Sequence, residues 1–318
     1  MHVILTGATG FIGGAFLGAA QQRSMKIRSV VRSNEQAKRL TDAKSSVVIV
    51  SSIDADTDWS EALVDVDVVV HCAARVQLMY NSTSDPLAEF RKVNVLGTLN
   101  LARQAALAGA KRFVFLSSIK VNGEETQLGD PYSAHDVPAP GDAYGASKSE
   151  AEASLRLLSL ETGMEVVIIR PPLVYGPGVK GNFSNLLRWV DRGLPLPLGA
   201  VTTNRRSCVG LDNLVDLILT CIDHPNAANQ TFLVSDGEDL STTDLLRRIG
   251  RALNRPARLI PIPVSILNFA LSLLGKRAIA QRLLGSLQVD ISKTCALLNW
   301  MPPVSVDEGL RRAAQQRL

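Results

Sequence analysis

Cysteine is scarce and scattered: Cys72, Cys208, Cys221 and Cys295 are the only four, and no two stand at a ligand-type spacing. That excludes a disulfide framework and a zinc site, leaves no metal to be expected, and suits a reducing compartment. Long hydrophobic runs are also missing. An uncharged, apolar stretch at residues 259–275 is broken at its start by Pro261 and Pro263. What remains falls short of the ~20 apolar residues a spanning helix needs, so a packed or lid helix is expected there rather than a membrane span, with contact at a membrane surface the lesser alternative. Lys and Arg never gather into a run and the net charge is only +4, which speaks against nucleic acid and suits a small anionic substrate. A strand pattern and a glycine loop begin almost at Met1, leaving no room for a signal peptide, and a cytoplasmic location is expected. Repeats and low-complexity tracts are absent as well.

What is present is an alternation. Short β-branched runs at 2–6, 27–31, 47–50, 66–71, 113–117 and 166–170 are interleaved with helical patterns at 12–22, 86–108 and 146–162. Continuous apolar strands separated by helices predict a parallel sheet covered on both faces, the α/β doubly wound (Rossmann) arrangement. After Arg170 the rhythm breaks at Pro171, Pro172, Gly176, Pro177 and Gly178. Helices are then expected at 211–223, 242–254, 264–274 and 306–316, with a strand at 230–234 rejoining the sheet. Residues 1–175 plus 211–235 thus read as a dinucleotide-binding domain, and 176–210 plus 236–318 as a smaller, mostly helical substrate lobe.

The first strand runs into a turn holding Gly7, Gly10 and Gly13 before a helix opens. Glycine permits the turn and lets the main chain approach a pyrophosphate, whose charge meets the helix N-terminus. Gly7, Thr9, Gly10, Phe11, Ile12 and Gly13 are therefore the candidate cofactor loop. The second strand ends at Val31 with Arg32 next, where NAD-selective sites place an acid and an Arg accommodates a 2′-phosphate. NADP(H) is favoured on this reading, with NAD(H) the alternative.

Tyr144 and Lys148 stand four apart on one helical face, downstream of Ser118 at a strand end. Interconverting a carbonyl and an alcohol needs a hydride at carbon and a proton at oxygen. An ammonium at Lys148 is expected to draw the Tyr144 phenol toward its phenolate, and Ser118 to steady the same substrate oxygen.

With these marks the chain resembles the extended short-chain dehydrogenases, the NAD-dependent epimerase/dehydratase family. The resemblance runs over essentially the whole chain, through segments 6–13, 71–74, 93–98, 117–123, 144–148, 170–178 and 298–302. It implies catalytic roles for Ser118, Tyr144 and Lys148, and places Ser52, Ile53, Ala73, Ala74 and Pro171 beside the cofactor. Asn94 is expected to tie strands together. Arg206 matches an arginine that the family uses on a pyrophosphate; Arg75, Lys120, Asn182 and Arg282 are further substrate candidates. Homodimers built from the helices at 86–108 and 146–162 are implied in the same way.

Departures narrow the activity. Ile119 and Lys120 stand where dehydratases of the family carry an Asp–Glu pair, so water elimination is not expected. Leu173 replaces an asparagine that many epimerases use on the nucleotide-sugar, and Ser52 replaces an acid that reads adenine. Segments 115–123 and 170–173 resemble bacterial surface-polysaccharide enzymes, above all reductases of UDP-2-acetamido-4-keto-2,6-dideoxyhexoses in O-antigen synthesis. That resemblance makes an NAD(P)H-dependent 4-keto reductase yielding UDP-N-acetylquinovosamine or UDP-N-acetylfucosamine the leading expectation. The alternatives are a UDP-hexose 4-epimerase with recycled NAD, a 3β-hydroxysteroid dehydrogenase-like enzyme suggested by the apolar 259–275 segment, and a cofactor-sensing protein without turnover.

Overall fold

The computed structural model describes residues 1–40, 46–76 and 85–315. The chain runs β1 (His2–Thr6), α1 (Phe11–Gln22), β2 (Lys26–Val31), α2 (Asn34–Leu40), β3 (Ser46–Ile49), β4 (Val68–His71), α3 (Pro86–Arg91), α4 (Thr98–Leu107) and β5 (Arg112–Leu116). It continues α5 (Ala143–Thr162), β6 (Glu165–Arg170), β7 (Leu173–Tyr175), α6 (Asn182–Asp191), β8 (Cys208–Gly210), α7 (Leu211–Asp223), β9 (Thr231–Leu233) and α8 (Thr242–Ala252). The remaining helices are α9 (Val264–Leu273), α10 (Arg277–Leu284), α11 (Ser292–Leu298) and α12 (Val306–Gln315).

Seven strands form one sheet in the order β3-β2-β1-β4-β5-β6-β9, every neighbouring pair parallel. The order reverses between β1 and β4, and ligands in such sheets lie beyond the strand C-termini at that reversal. Parallel strands need cover on both faces, and their apolar sequences supply it. Val3, Leu5, Val114, Val167 and Ile169 pack toward α1 and α7, while Ile4, Val69, Phe113, Phe115 and Ile168 pack toward α4 and α5. The doubly wound expectation holds, and β9 does rejoin the sheet beside β6.

The helix expected over 86–108 forms, with Lys92–Gly97 continuing it as a wider, π-type segment between α3 and α4. A Cβ on Gly97 would stand 2.7 Å from the carbonyl oxygen of Ile53, so this face lies tight against the loop after β3. α6 was not expected, since flanking Gly and Pro read as a break. Its apolar positions Phe183, Leu186, Leu187 and Val190 nonetheless recur at helical spacing and are all buried. They join Leu245, Leu246 and Ile249 of α8 and Leu310 of α12 in a separate lobe core. α2 forms where a helix opening near Glu35 is expected, whereas α10, α11 and the two-stranded β7–β8 sheet went unforeseen, each being too short to show a period. Among the described residues no helix is long and apolar enough to cross a membrane.

Candidate functional site

Beyond the carboxyl ends of β1 and β4 the backbone is drawn very close. Gly7 has φ +75°, and a Cβ on it would stand 2.8 Å from the amide nitrogen of Ala73. A Cβ on Gly13 would stand 2.2 Å from the carbonyl oxygen of Gly7, so α1 presses against the turn as only glycine allows. Gly10 caps α1 with no side-chain hydrogen bond, and no acid occupies the first turn. Free amides at a positive helix end, flanked by glycines, suit a pyrophosphate, so the residues present fit a dinucleotide. Thr9, Phe11 and Ile12 sit on this same turn, and Ala73 and Ala74 follow β4 directly across from it.

At the adenosine end, exposed Arg32 follows β2 and forms no ion pair with a described residue; its amide donates to Gln36. Ser52 and Ile53 lie in the loop after β3. That loop is tied internally, Thr57 donating its hydroxyl to both Ser52 O (3.2 Å) and Asp54 Oδ1 (2.9 Å).

The candidate catalytic residues Ser118, Tyr144 and Lys148 lie where the end of β5 meets α5. Asp142 caps α5 through the Gly145 amide at 2.7 Å. A Cβ on Gly145 would stand 2.7 Å from Lys120 O, so α5 begins in contact with the turn that Ser118 opens. Lys148, one helical turn beyond Tyr144, donates to Leu116 O at 2.7 Å and lies 4.2 Å over the Phe115 ring. Pro171 closes the group, its carbonyl accepting from Ile119 N at 3.0 Å. Burial pushes the Lys148 ammonium down to about 7 and the Tyr144 phenol up to about 12, Asp142's charge adding to the latter. The sequence reading had Lys148 drawing Tyr144 toward phenolate. The direction here is opposite, because the ammonium is turned to Leu116 O and Phe115 while burial favours the neutral phenol.

A polar column that the sequence did not announce supports this floor. His71 is fully buried, shares hydrogen bonds with Thr6 Oγ1 (2.8 Å) and Thr98 Oγ1 (3.0 Å), and stacks on Phe115. Burial, then the charge of Lys148, pushes it down to about 3 from an ordinary 6.5. Between those values the unfolded chain binds a proton that the folded one refuses, so stability rises with pH through that window. Acidification from pH 6.5 toward 3 should therefore destabilise the protein more steeply than a His71→Gln variant, by up to about 1.4 kcal/mol per pH unit. Urea titrations of both proteins across that range check it.

Glu152 was also missed. It is fully buried on α5, one turn past Lys148, and accepts from Ser117 Oγ (2.6 Å), Arg170 Nε (2.9 Å) and Arg170 Nη2 (2.5 Å). Only its companion Arg170, at a strand end, hinted that a buried acid would be needed.

The substrate candidates divide. Arg206 is half-buried in the second lobe, donating to Gly285 O at 3.2 Å and lining a cleft with Tyr175, Asp236, Glu238 and Thr242. Burial holds its guanidinium below the ordinary value. Arg282's charge acts in the same direction, while Cys208 and Glu124 act against it. Asn182 is exposed at the start of α6. Lys120 is already engaged by Glu124 (3.1 Å) and Asp142, and Arg75 by Glu89 (2.7 Å). Asn94 ties the loop after β4 to α5, bonding the backbone of Arg75 on both sides and Ser147 Oγ. The described residues hold no cluster able to ligate a metal.

Comparison with known proteins agrees with this geometry. Residues 3–235 match the family described as "NAD dependent epimerase/dehydratase family". A "UDP-glucose 4-epimerase" of Vibrio cholerae is 48% identical over 314 residues, covering 98% of this chain and 94% of that protein. An Escherichia coli O157:H7 protein, "N-acetyl-alpha-D-glucosaminyl-diphospho-ditrans,octacis-undecaprenol 4-epimerase", is 26% identical over 329 residues, covering 99% of this chain and 94% of that protein. Among solved structures, the UDP-N-acetylglucosamine 4-epimerase from Bacillus cereus superposes with a TM-score of 0.80 at 20% identity, covering 99% of this chain and 98% of that one, a likeness of fold.

Proposed function

Because the chain belongs to the NAD dependent epimerase/dehydratase family, we propose that it inverts the C4 hydroxyl of a UDP-hexose through a transient 4-ketone. The observation that carries this reading is the near full-length 48% identity to a protein named UDP-glucose 4-epimerase, with Ser118, Tyr144 and Lys148 all in place. A nicotinamide dinucleotide would supply the hydride chemistry at C4 when bound. Residues of the glycine turn, with Ala73, Ala74, Ser52, Ile53 and Pro171, hold the dinucleotide. Tyr144 exchanges the proton of the C4 oxygen, Lys148 compensates charge on the phenol, and Ser118 hydrogen-bonds the same oxygen. Arg206 and Arg282 meet the substrate diphosphate, for which paired guanidinium groups are well shaped. Asn182 lies at the sugar side.

Arg32 favours a second reading. An exposed arginine at the ribose position, with no acid in its place, suits NADP(H) and hence net reduction of a UDP-4-keto sugar. One experiment separates the two. Purified protein given a UDP-hexose and no added cofactor should equilibrate it with its 4-epimer. Stoichiometric NADPH consumption on a UDP-4-keto sugar, with no epimer formed from the UDP-hexose, would establish the reductase instead. We also assign the outer faces of α4 and α5, where Leu107, Leu157 and Leu160 are exposed, to a homodimer contact.

A further inference from the structure

The 259–275 segment is absorbed neither by the core nor by the site. α9 has no buried residue. Val264 and Leu267 touch the lobe core, which fixes the opposite face outward. That outward face carries Ile266, Phe269, Ala270 and Leu273, an i, i+3, i+4, i+7 stripe that on a water-facing helix should be polar. Phe269 is 69% exposed, Leu273 77% and the adjoining Leu274 66%. α9 then turns through Gly275 into α10, against which it packs, and the turn presents Lys276 and Arg277.

The chain segment that forms and flanks the hairpin carries charge of one sign. Residues 245–289 hold eight basic residues (Arg247, Arg248, Arg251, Arg255, Arg258, Lys276, Arg277 and Arg282) and no acid. With a net charge of +4 for the chain, the remainder carries +4 − 8 = −4. Arg258, Lys276 and Arg277, which bracket α9, are exposed and form no ion pair with a described residue. An apolar stripe bracketed by unpaired cations is complementary to a surface with negative headgroups above hydrocarbon. A second copy of the same hairpin would bring cation against cation with no acid to meet them. Ten residues of α9 are too short to span a bilayer and lie in its plane instead.

We propose that the α9–α10 hairpin seats this protein on an anionic lipid surface, Ile266, Phe269 and Leu273 entering the interface and Arg258, Lys276 and Arg277 meeting the headgroups. The inference is independent of the sugar chemistry. Arg282 lies in the last turn of α10, five residues and so about 7.5 Å along that helix from Arg277.

Co-sedimentation with vesicles tests it, using phosphatidylcholine alone and phosphatidylcholine mixed with phosphatidylglycerol. The protein should pellet with the anionic vesicles, less so at high salt. Phe269→Asp/Leu273→Asp and Lys276→Glu/Arg277→Glu should each weaken that binding on the order of tenfold or more, with unchanged thermal melting and unchanged turnover of a soluble substrate. Three results would overturn the proposal: protein that stays in the supernatant with both vesicle types, apolar-stripe variants that bind as the parent does, or a dimer in sedimentation velocity that Phe269→Asp/Leu273→Asp converts to monomer while no vesicle binding is seen.

Discussion

Tyr144→Phe should lower kcat by about 10²–10⁴-fold and leave dinucleotide affinity unchanged. The ring is what packs: it lies edge-on to Phe90 at 5.9 Å, and phenylalanine keeps that contact. The hydroxyl makes no hydrogen bond to a described residue, so its removal strands no buried partner and should cost little stability. Nothing nearby replaces it as a proton carrier. The Cys72 thiol is pushed up to about 12 by burial, and the Lys148 ammonium is already bonded to Leu116 O. A phenol held near 12 is fully protonated at neutral pH, which suits the direction in which the C4 oxygen gains a proton. The opposite direction requires the phenolate, toward which Lys148⁺ has two donors left after its bond to Leu116 O. Stopped-flow or steady-state turnover, paired with a fluorescence titration of the dinucleotide, measures both halves of the expectation. Retention of more than about a tenth of the parental kcat would assign proton transfer to another group.

How much of this could be read beforehand depended on the kind of signal. Strands β1 to β6 announced themselves because a doubly covered parallel strand is apolar at nearly every position, as in Val68–His71. The glycine turn was legible for a steric reason: the 2.2 Å approach at Gly13 tolerates no other residue. Tyr144 and Lys148 were visible as a pair, yet the direction of the tyrosine's shift was not. It depends on the Asp142 cap and on where the ammonium points, and both are set by tertiary contacts. Lys120 and Arg75 looked like substrate ligands because motif position says nothing of Glu124, Asp142 or Glu89, with which they pair. The apolar 259–275 run was read as a packed or lid helix. Its partial contact with the lobe core and its exposed stripe depend on how α9 is rotated, which composition alone does not fix.

Glu152→Ala should destabilise the fold by about 3–5 kcal/mol, a large share of what holds a domain together. The reason is what it leaves behind. Arg170 is 2% exposed at its side chain, and without Glu152 its guanidinium keeps only Asn122 Oδ1 at 2.9 Å as a described partner. The cost should then lie mainly in the orphaned charge, which makes a double variant decisive. Glu152→Met with Arg170→Met removes both charges and fills the space with apolar side chains. It should be more stable than Glu152→Ala, with urea midpoints reporting the difference at constant m. Simple additivity of the two single changes would show that the pair is not coupled. Function should not follow stability back. Glu152 also accepts from Ser117 Oγ at 2.6 Å, and that bond fixes the residue just before Ser118 at the end of β5. Arg170 precedes Pro171 at the end of β6, and Glu152 lies on the helix that carries Lys148. One carboxylate thus pins two strand ends to the helix that carries Tyr144 and Lys148, and a methionine pair restores packing without restoring those directional bonds. On the proposed C4 chemistry the double variant should accordingly fold and bind dinucleotide while turning over more slowly, the loss falling on kcat because Ser118, Tyr144 and Lys148 are no longer held in register.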